Sequence, residues 1–208
     1  MSWKASDRSV DTVGRQERKR LATRQNIYDT AIRLFRVKGY HATTVEEIAT
    51  EADVAKATFF KHFPKKYELI EEIIKQRRDK VRAAATDEQV NQLSTKTQIN
   101  HMMKILCQTI ESDRALAVIA LNEFICSGGL FKEEAPSIEI FYQTLERGKE
   151  CGELRADIPT RVVARVLWSY YLESYIAWAR NEQGQSLEAM LLEGVEVVFR
   201  GIEAGKHA

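Results

Sequence analysis

The chain has no uninterrupted apolar run approaching the roughly 20 residues a membrane helix needs. Its N-terminus, MSWKASDRSVDTVGRQERKR, lacks the apolar core of a signal peptide. Cytoplasmic placement is therefore the expectation. Cysteine is scarce: Cys107, Cys126 and Cys151 are odd in number, far apart and outside any CxxC. That excludes a disulfide framework, and the three read as free thiols packing as small hydrophobes in a reducing compartment. HExxH, GxGxxG, GxSxG and phosphate-loop signatures are all absent. His101 and Cys107, six residues apart, do not share a helix face and make a poor metal pair. Glu46-Glu47 and Glu133-Glu134 are adjacent carboxylates at expected helix starts, where the helix dipole favours them. His41 reads as a surface loop residue and His207 as part of the tail. These absences argue against an enzyme, a metal site or a cofactor. Strand-type alternation, internal repeats and low-complexity tracts are missing too.

What remains is helical, globular and electrically lopsided. With 208 residues, 44% hydrophobic and 29% charged, the chain suits one or two domains with a full core. The net charge is only +1, yet residues 1–80 hold 18 Lys and Arg against 12 Asp and Glu, a net +6. The remainder carries −5. A basic N-terminal third beside an acidic remainder is the footprint of a chain that meets nucleic acid with one end.

The stretch Thr43–Leu69, TTVEEIATEADVAKATFFKHFPKKYEL, reads as two short helices around a tight turn and the start of a third. Thr44 and Glu47 have the spacing of a capping box. Val45, Ile48, Ala49 and Ala52 fall on one face at i, i+3, i+4 and i+7. Asp53-Val54 interrupts, with Val54 as an apolar plug, and a second helix runs from about Ala55 to Phe63. Pro64 ends it. Phe59 and Phe63, at i and i+4, face inward, which leaves Lys56, Thr58, Lys61 and His62 pointing outward. Small Ala55 and Ala57 let the backbone come close to a duplex. Such a rod suits the major groove, where polar side chains read bases and cations grip phosphates. The pattern is a helix-turn-helix with the recognition helix second.

Ile27, Ala31, Leu34, Phe35 and Gly39, followed by TTVEEIA and FFKHFPKKYEL, resemble the N-terminal domain of the tetracycline-repressor (TetR) family of transcriptional regulators. The match covers about Arg24 to Leu69; the rest agrees only in length and helical character. Five positions depart from the family pattern: Asp53 for a turn glycine, Ala55 for a serine cap, Ala57 for a glycine, Phe60 for a phosphate-binding tyrosine, and Lys65 for a serine. Lys66 looks like the family's phosphate-contacting lysine. The DNA-binding set this implies is Thr43, Thr44, Lys56, Ala57, Thr58, Phe60, Lys61, His62 and Lys66. The resemblance also implies the fold class: all-α, a three-helix helix-turn-helix domain joined by a fourth helix to a C-terminal helical domain for ligand binding and dimerisation.

The expected organisation is a flexible basic arm over 1–20, a DNA-binding domain over 21–82, and a ligand-binding and dimerisation domain over 83–208. Met1 to about Gly14 has no period and is expected to be disordered. Arg15, Arg18, Lys19, Arg20 and Arg24 either lie along phosphates or in the minor groove, or form a solvated helix start. A first helix runs from about Glu17 to Lys38, stopped by Gly39, and Tyr40 turns back into the core. Pro64 and Lys65 open the fourth helix, and Ala83 to Thr97 is the expected hinge or loop. Further helices are expected over about Thr97–Ser112, Arg114–Cys126, Ser137–Glu150, Pro159–Asn181 and Leu187–Ile202.

The last two helices (about 159–181 and 186–202) leave little polar face, and a helix apolar nearly all round needs partners on more than one side. A two-fold homodimer through this pair supplies one, and implies a palindromic operator. Met102, Met103, Leu106, Phe124, Phe141, Trp168, Tyr171 and Tyr175 are candidate liners of a site for a hydrophobic inducer, although each also suits an ordinary core. The function expected is a ligand-responsive repressor that binds double-stranded operator DNA as a dimer and is released by a hydrophobic small molecule. The rival reading is a helical adaptor whose helix-turn-helix binds protein, which Asp53, Ala55 and Phe60 favour. Salt-dependent DNA binding separates the two.

Overall fold

A computed structural model describes residues 7–129, 136–180 and 184–203. Met1 to Ser6 of the expected arm, Glu133-Glu134, Asn181 and His207 lie outside the described residues. The fold is all-α: α1 (Asp7–Lys38), α2 (Val45–Glu51), α3 (Lys56–His62), α4 (Glu68–Thr86), α5 (Glu88–Asn91), α6 (Thr95–Glu111), α7 (Arg114–Cys126), α8 (Pro136–Glu150), α9 (Thr160–Arg180) and α10 (Leu187–Ile202). Among the described residues the only extended pairing is a single antiparallel bridge, Leu154 to Glu203. None of their helices is long and apolar enough to cross a membrane.

The chain divides into two compact units, residues 1–71 and 72–208. In the first, Ile27, Ala31, Leu34 and Phe35 of α1 are buried with Ile48 and Ala49 of α2 and Phe59 of α3. Phe63, Leu69 and Ile70 are also fully buried. Tyr40 is buried and meets Phe35 edge-on, its ring centroid 5.1 Å away. The capping box at α2 is present in both directions: Thr44 Oγ1 accepts from Glu47 N–H, and the Glu47 carboxylate accepts from Thr44 N–H at 2.9 Å. Asp53 takes the place of a turn glycine with φ 52°. That left-handed conformation is one Asp tolerates better than most residues, because its short side chain bonds locally.

The structure departs from the expected boundaries in three places. Helix α1 begins at Asp7, so residues 7–14 are helical although no apolar stripe precedes Leu21. Helix α4 runs on to Thr86, and Val81, Ala84 and Ala85 are buried, so the first part of the expected hinge is helix with a packed face. Asp87 then caps the short α5 by accepting from Gln89 and Val90 N–H. Val81 and Ala85 belong to the core of the second unit, which is why residues 72–82 fall with that unit rather than with the helix-turn-helix.

The second unit packs α6, α8, α9 and α10 around a core that includes Ile99, Met102, Phe141, Leu145, Leu167, Leu191 and Phe199. Gly194 of α10 lies where a Cβ would stand 2.0 Å from Tyr170 Cε1 of α9, so the two helices meet ring against backbone. Helix α9 buries Val163, Leu167, Tyr171, Tyr175 and Trp178 within its own unit. Its outward face is mixed: Val162 and Val166 are exposed, and so are Arg165, Ser169 and Glu173. On α10, Val197 is exposed beside Glu193 and Arg200. The outer stripe of the last two helices is thus less apolar than their composition suggests, because the largest side chains turn inward.

Candidate nucleic-acid interface and ligand cavity

Helix α3 is two turns long and stands on Phe59 and Phe63, both fully buried. With that face fixed, Lys56, Ala57, Phe60 and Lys61 point outward, and Thr58 and His62 sit half-buried at its edges. Phe60 is 40% exposed and meets Phe59 edge-on, with ring centroids 5.5 Å apart. Lys56 pairs with Glu46 of α2, and the ammonium holds the Glu46 carboxyl below its ordinary range. Burial first, then Arg20, Arg24 and Lys61, push His62 down, so its ring is held toward the neutral form. Arg24 of α1 fastens the end of α3: its guanidinium donates to His62 O at 2.7 Å and lies 4.1 Å from the Phe63 ring centroid. That gives one cation of the basic cluster an internal task.

Two residues of the expected DNA-binding set are turned inward. Thr43 is completely buried, and its hydroxyl donates to Gly39 O at 2.8 Å, satisfying a carbonyl left over at the end of α1. Lys66 donates to Tyr40 O at 2.8 Å and to Thr43 O at 2.9 Å, with its ammonium 4.2 Å from the Tyr40 ring centroid. It thereby clamps the α1–α2 turn. Thr44 is exposed, with its hydroxyl engaged in the capping box.

The second unit contains a cavity, partly open to solvent. Helix α6 contributes Leu106, α7 contributes Ala120, Leu121 and Phe124, and α8 contributes Ser137 and Phe141. Helix α9 supplies Trp168, Tyr171, Leu172 and Tyr175, and α4 supplies Ile74, Arg77, Arg78 and Val81. Six of the eight residues singled out from the sequence thus share one wall. Met102 and Met103 do not line it; both are fully buried core side chains.

Sequence reasoning missed the α4 contribution. The signal was there: Ile74, Arg77, Arg78 and Val81 sit at i, i+3, i+4 and i+7, one helical face. Arg77 is 9% exposed and donates to Tyr175 Oη at 3.1 Å, while Tyr175 Oη donates to Ala117 O at 2.6 Å. Burial pushes the Tyr175 and Tyr171 phenols up, although Arg77 pulls both back, so both remain neutral donors. Among the described residues no group of three or more His, Cys, Asp or Glu is placed to hold a metal ion.

Comparison with known proteins agrees with this architecture. Residues 27–73 match the model for bacterial regulatory proteins, tetR family. A fatty acid metabolism regulator protein of Bacillus subtilis is 21% identical over 181 residues, spanning 85% of this chain and 93% of its own length. FadR of Thermus thermophilus, a TetR-family repressor solved with lauroyl-CoA, superposes with a TM-score of 0.68 at 23% identity, over 89% of this chain and 97% of that one. FadR of B. subtilis, solved with stearoyl-CoA, gives 0.66 at 20% identity, over 86% and 98%. These relatives are transcriptional regulators rather than enzymes. The helix-turn-helix over residues 27–73 is thus similar to that of bacterial regulatory proteins of the tetR family, and the whole chain shares the all-α fold of solved members of that family.

Proposed function

We propose that the protein is a cytoplasmic repressor that grips a palindromic operator as a homodimer and lets go when a hydrophobic small molecule fills the cavity of its second unit. The observation that carries the DNA half is the outward face of α3, where Lys56, Phe60 and Lys61 are exposed around buried Phe59 and Phe63. Lys56, Ala57, Thr58, Phe60, Lys61 and His62 form the reading edge, and Thr44 orders the start of the supporting helix. Lys61 and His62 are the candidates for base edges. Phe60 offers its ring to sugar or thymine methyl groups, since it has no hydroxyl for a phosphate.

Helix α4 is the device that links the two halves. It starts in the first unit, where Leu69 and Ile70 are buried, and goes on to supply four lining residues of the cavity. A ligand pressing on Ile74, Arg77, Arg78 and Val81 acts on the same helix that carries the head. Dimerisation is assigned to α9 and α10, whose outward stripes carry Val162, Val166 and Val197. Two copies bring two α3 helices to half-sites at a fixed spacing. Support for the ligand half comes from the cavity's eleven apolar and aromatic liners, and from similar folds that hold lauroyl-CoA and stearoyl-CoA.

The test is binding of the full chain to double-stranded DNA from upstream of its own gene, followed by fluorescence anisotropy across a salt series. Affinity should fall steeply with salt, because released counterions drive the association. Lys61→Ala should either lower that slope by about one or cost about 1–3 kcal/mol at one operator position, according to whether it grips phosphate or base. Affinity unchanged between low and moderate salt would exclude the repressor reading and favour a protein-binding role for α3.

A further inference from the structure

The cavity is greasy, but it is not electrically neutral. Arg77 is nine-tenths buried, and among the described residues the only hydrogen bond its guanidinium makes to another side chain is to the neutral phenol of Tyr175. One helical step away, the Nε of Arg78 is sealed from solvent and has no hydrogen-bond partner. The described residues of the cavity wall include no Asp or Glu, and its two tyrosines remain protonated. Two guanidinium groups therefore face the cavity with no anion on its wall to match them.

An unmatched buried cation is costly, because its desolvation is not offset by a partner charge. A fork of N–H donors is the geometry that grips a carboxylate or phosphate with two parallel bonds. The rest of the wall describes the other end of the occupant. Leu106, Leu121, Phe124, Phe141 and Trp168 offer only carbon surface and one indole. An apolar body ending in a negative head satisfies both halves at once, whereas a purely hydrophobic molecule leaves the arginines as they are.

We infer that the cavity takes an amphiphile whose anionic head, a carboxylate or a phosphate, is held by Arg77 and Arg78 on α4 while its hydrophobic body lies against the aromatic wall. This rests on the proposed ligand-gated function and narrows it: the inducer is an organic anion, and its charge docks on the helix that runs into the DNA-binding unit. A free acid and an acyl thioester of a phosphorylated carrier share this chemistry.

The experiment uses the full chain and three probes with the same twelve-carbon tail: dodecanoate, dodecanoyl-CoA and dodecanol, each below its micelle concentration. Binding is read by calorimetry and by the fluorescence of Trp168, which lines the cavity. At least one of the two anions should bind ten-fold or more tighter than dodecanol, and which one does so identifies the source of the charge. Arg78→Met should erase the difference between anion and alcohol, and Arg78→Lys should restore part of it. Dodecanol binding as tightly as the tighter of the two anions, or Arg78→Met leaving that anion's affinity unchanged, would overturn the inference. Failure of all three probes to bind would overturn it as well. Release of operator DNA is scored separately: an anion that binds without releasing DNA supports the charged site and contradicts the gating, while dodecanol that binds equally and releases DNA does the reverse.

Discussion

Ala55→Ser offers a test of how firmly the recognition helix is built. Ala55 occupies the N-cap of α3 with φ −65° and ψ 146°, and no side chain caps that helix. Elsewhere the chain shows what a hydroxyl does in this backbone. Ser186, at φ −63° and ψ 148°, accepts from Ala189 N–H, and Ser94, at φ −58° and ψ 149°, accepts from Thr97 N–H. A serine at 55 would enter the same geometry and present its oxygen to Thr58 N–H. An N-cap of this kind contributes about 0.5–2 kcal/mol. The lower part of that range applies, because Thr58 N–H already donates to Ala55 O at 2.8 Å in a tightened first turn. The expected gain is about 0.5–1 kcal/mol, or about two- to five-fold slower local opening. Amide hydrogen exchange of the full chain reads it directly. Protection should rise at Thr58, Phe59 and Phe63, while amides of α6 to α10 stay as they were. Unchanged protection in α3 would refute the capping argument, and an equal rise throughout the chain would show that the effect is not local.

Gly194→Ala should lower stability despite the better helix propensity of alanine, about 1 kcal/mol. The added methyl meets the Tyr170 ring at 2.0 Å, and Tyr170 is tethered by its hydroxyl to Met190 O at 2.9 Å, so overpacking of about 1–3 kcal/mol outweighs the gain. A higher urea midpoint than the parent would refute the close approach of α9 and α10. Acid should undo the start of α2. Lys38, then the Thr44 N–H, lower the Glu47 carboxyl from 4.5 to about 2. A carboxyl lowered on folding stabilises above its unfolded pKa, so the contribution is full above about pH 4.5 and fades as pH falls toward 2. The Thr44 and Glu47 amide resonances should move through that window, and amides constant down to pH 2 would contradict the capping box.

The DNA-reading unit was legible in the sequence because its determinants are local. A capping box four residues long, phenylalanines at i and i+4, and a proline stop are all written within Thr44–Pro64, and the structure places Phe59 and Phe63 inward as their spacing requires. Lys66 and Thr43 carry contacts that are not local. A cation just before a helix looks ready for a phosphate, but the carbonyls Lys66 binds lie 23 and 26 residues upstream. No spacing rule exposes such a contact. The second unit repeats the lesson. Its aromatic wall was visible as large apolar residues, whereas Arg77 and Arg78 sit among the charged residues of Lys75–Arg82, where composition gives no sign of burial. Only the convergence of five helices, brought together over 98 residues in the Arg77–Tyr175 bond, turns them toward an interior.

The division of the chain at Glu71 and Glu72 falls inside α4, not in a linker, and the helix carries neither glycine nor proline from Glu68 to Thr86. Splicing this head onto the sensor of another regulator is consequently a problem of phase as well as of sequence. Every residue added or lost at the seam would turn whatever follows by about 100° and advance it by about 1.5 Å.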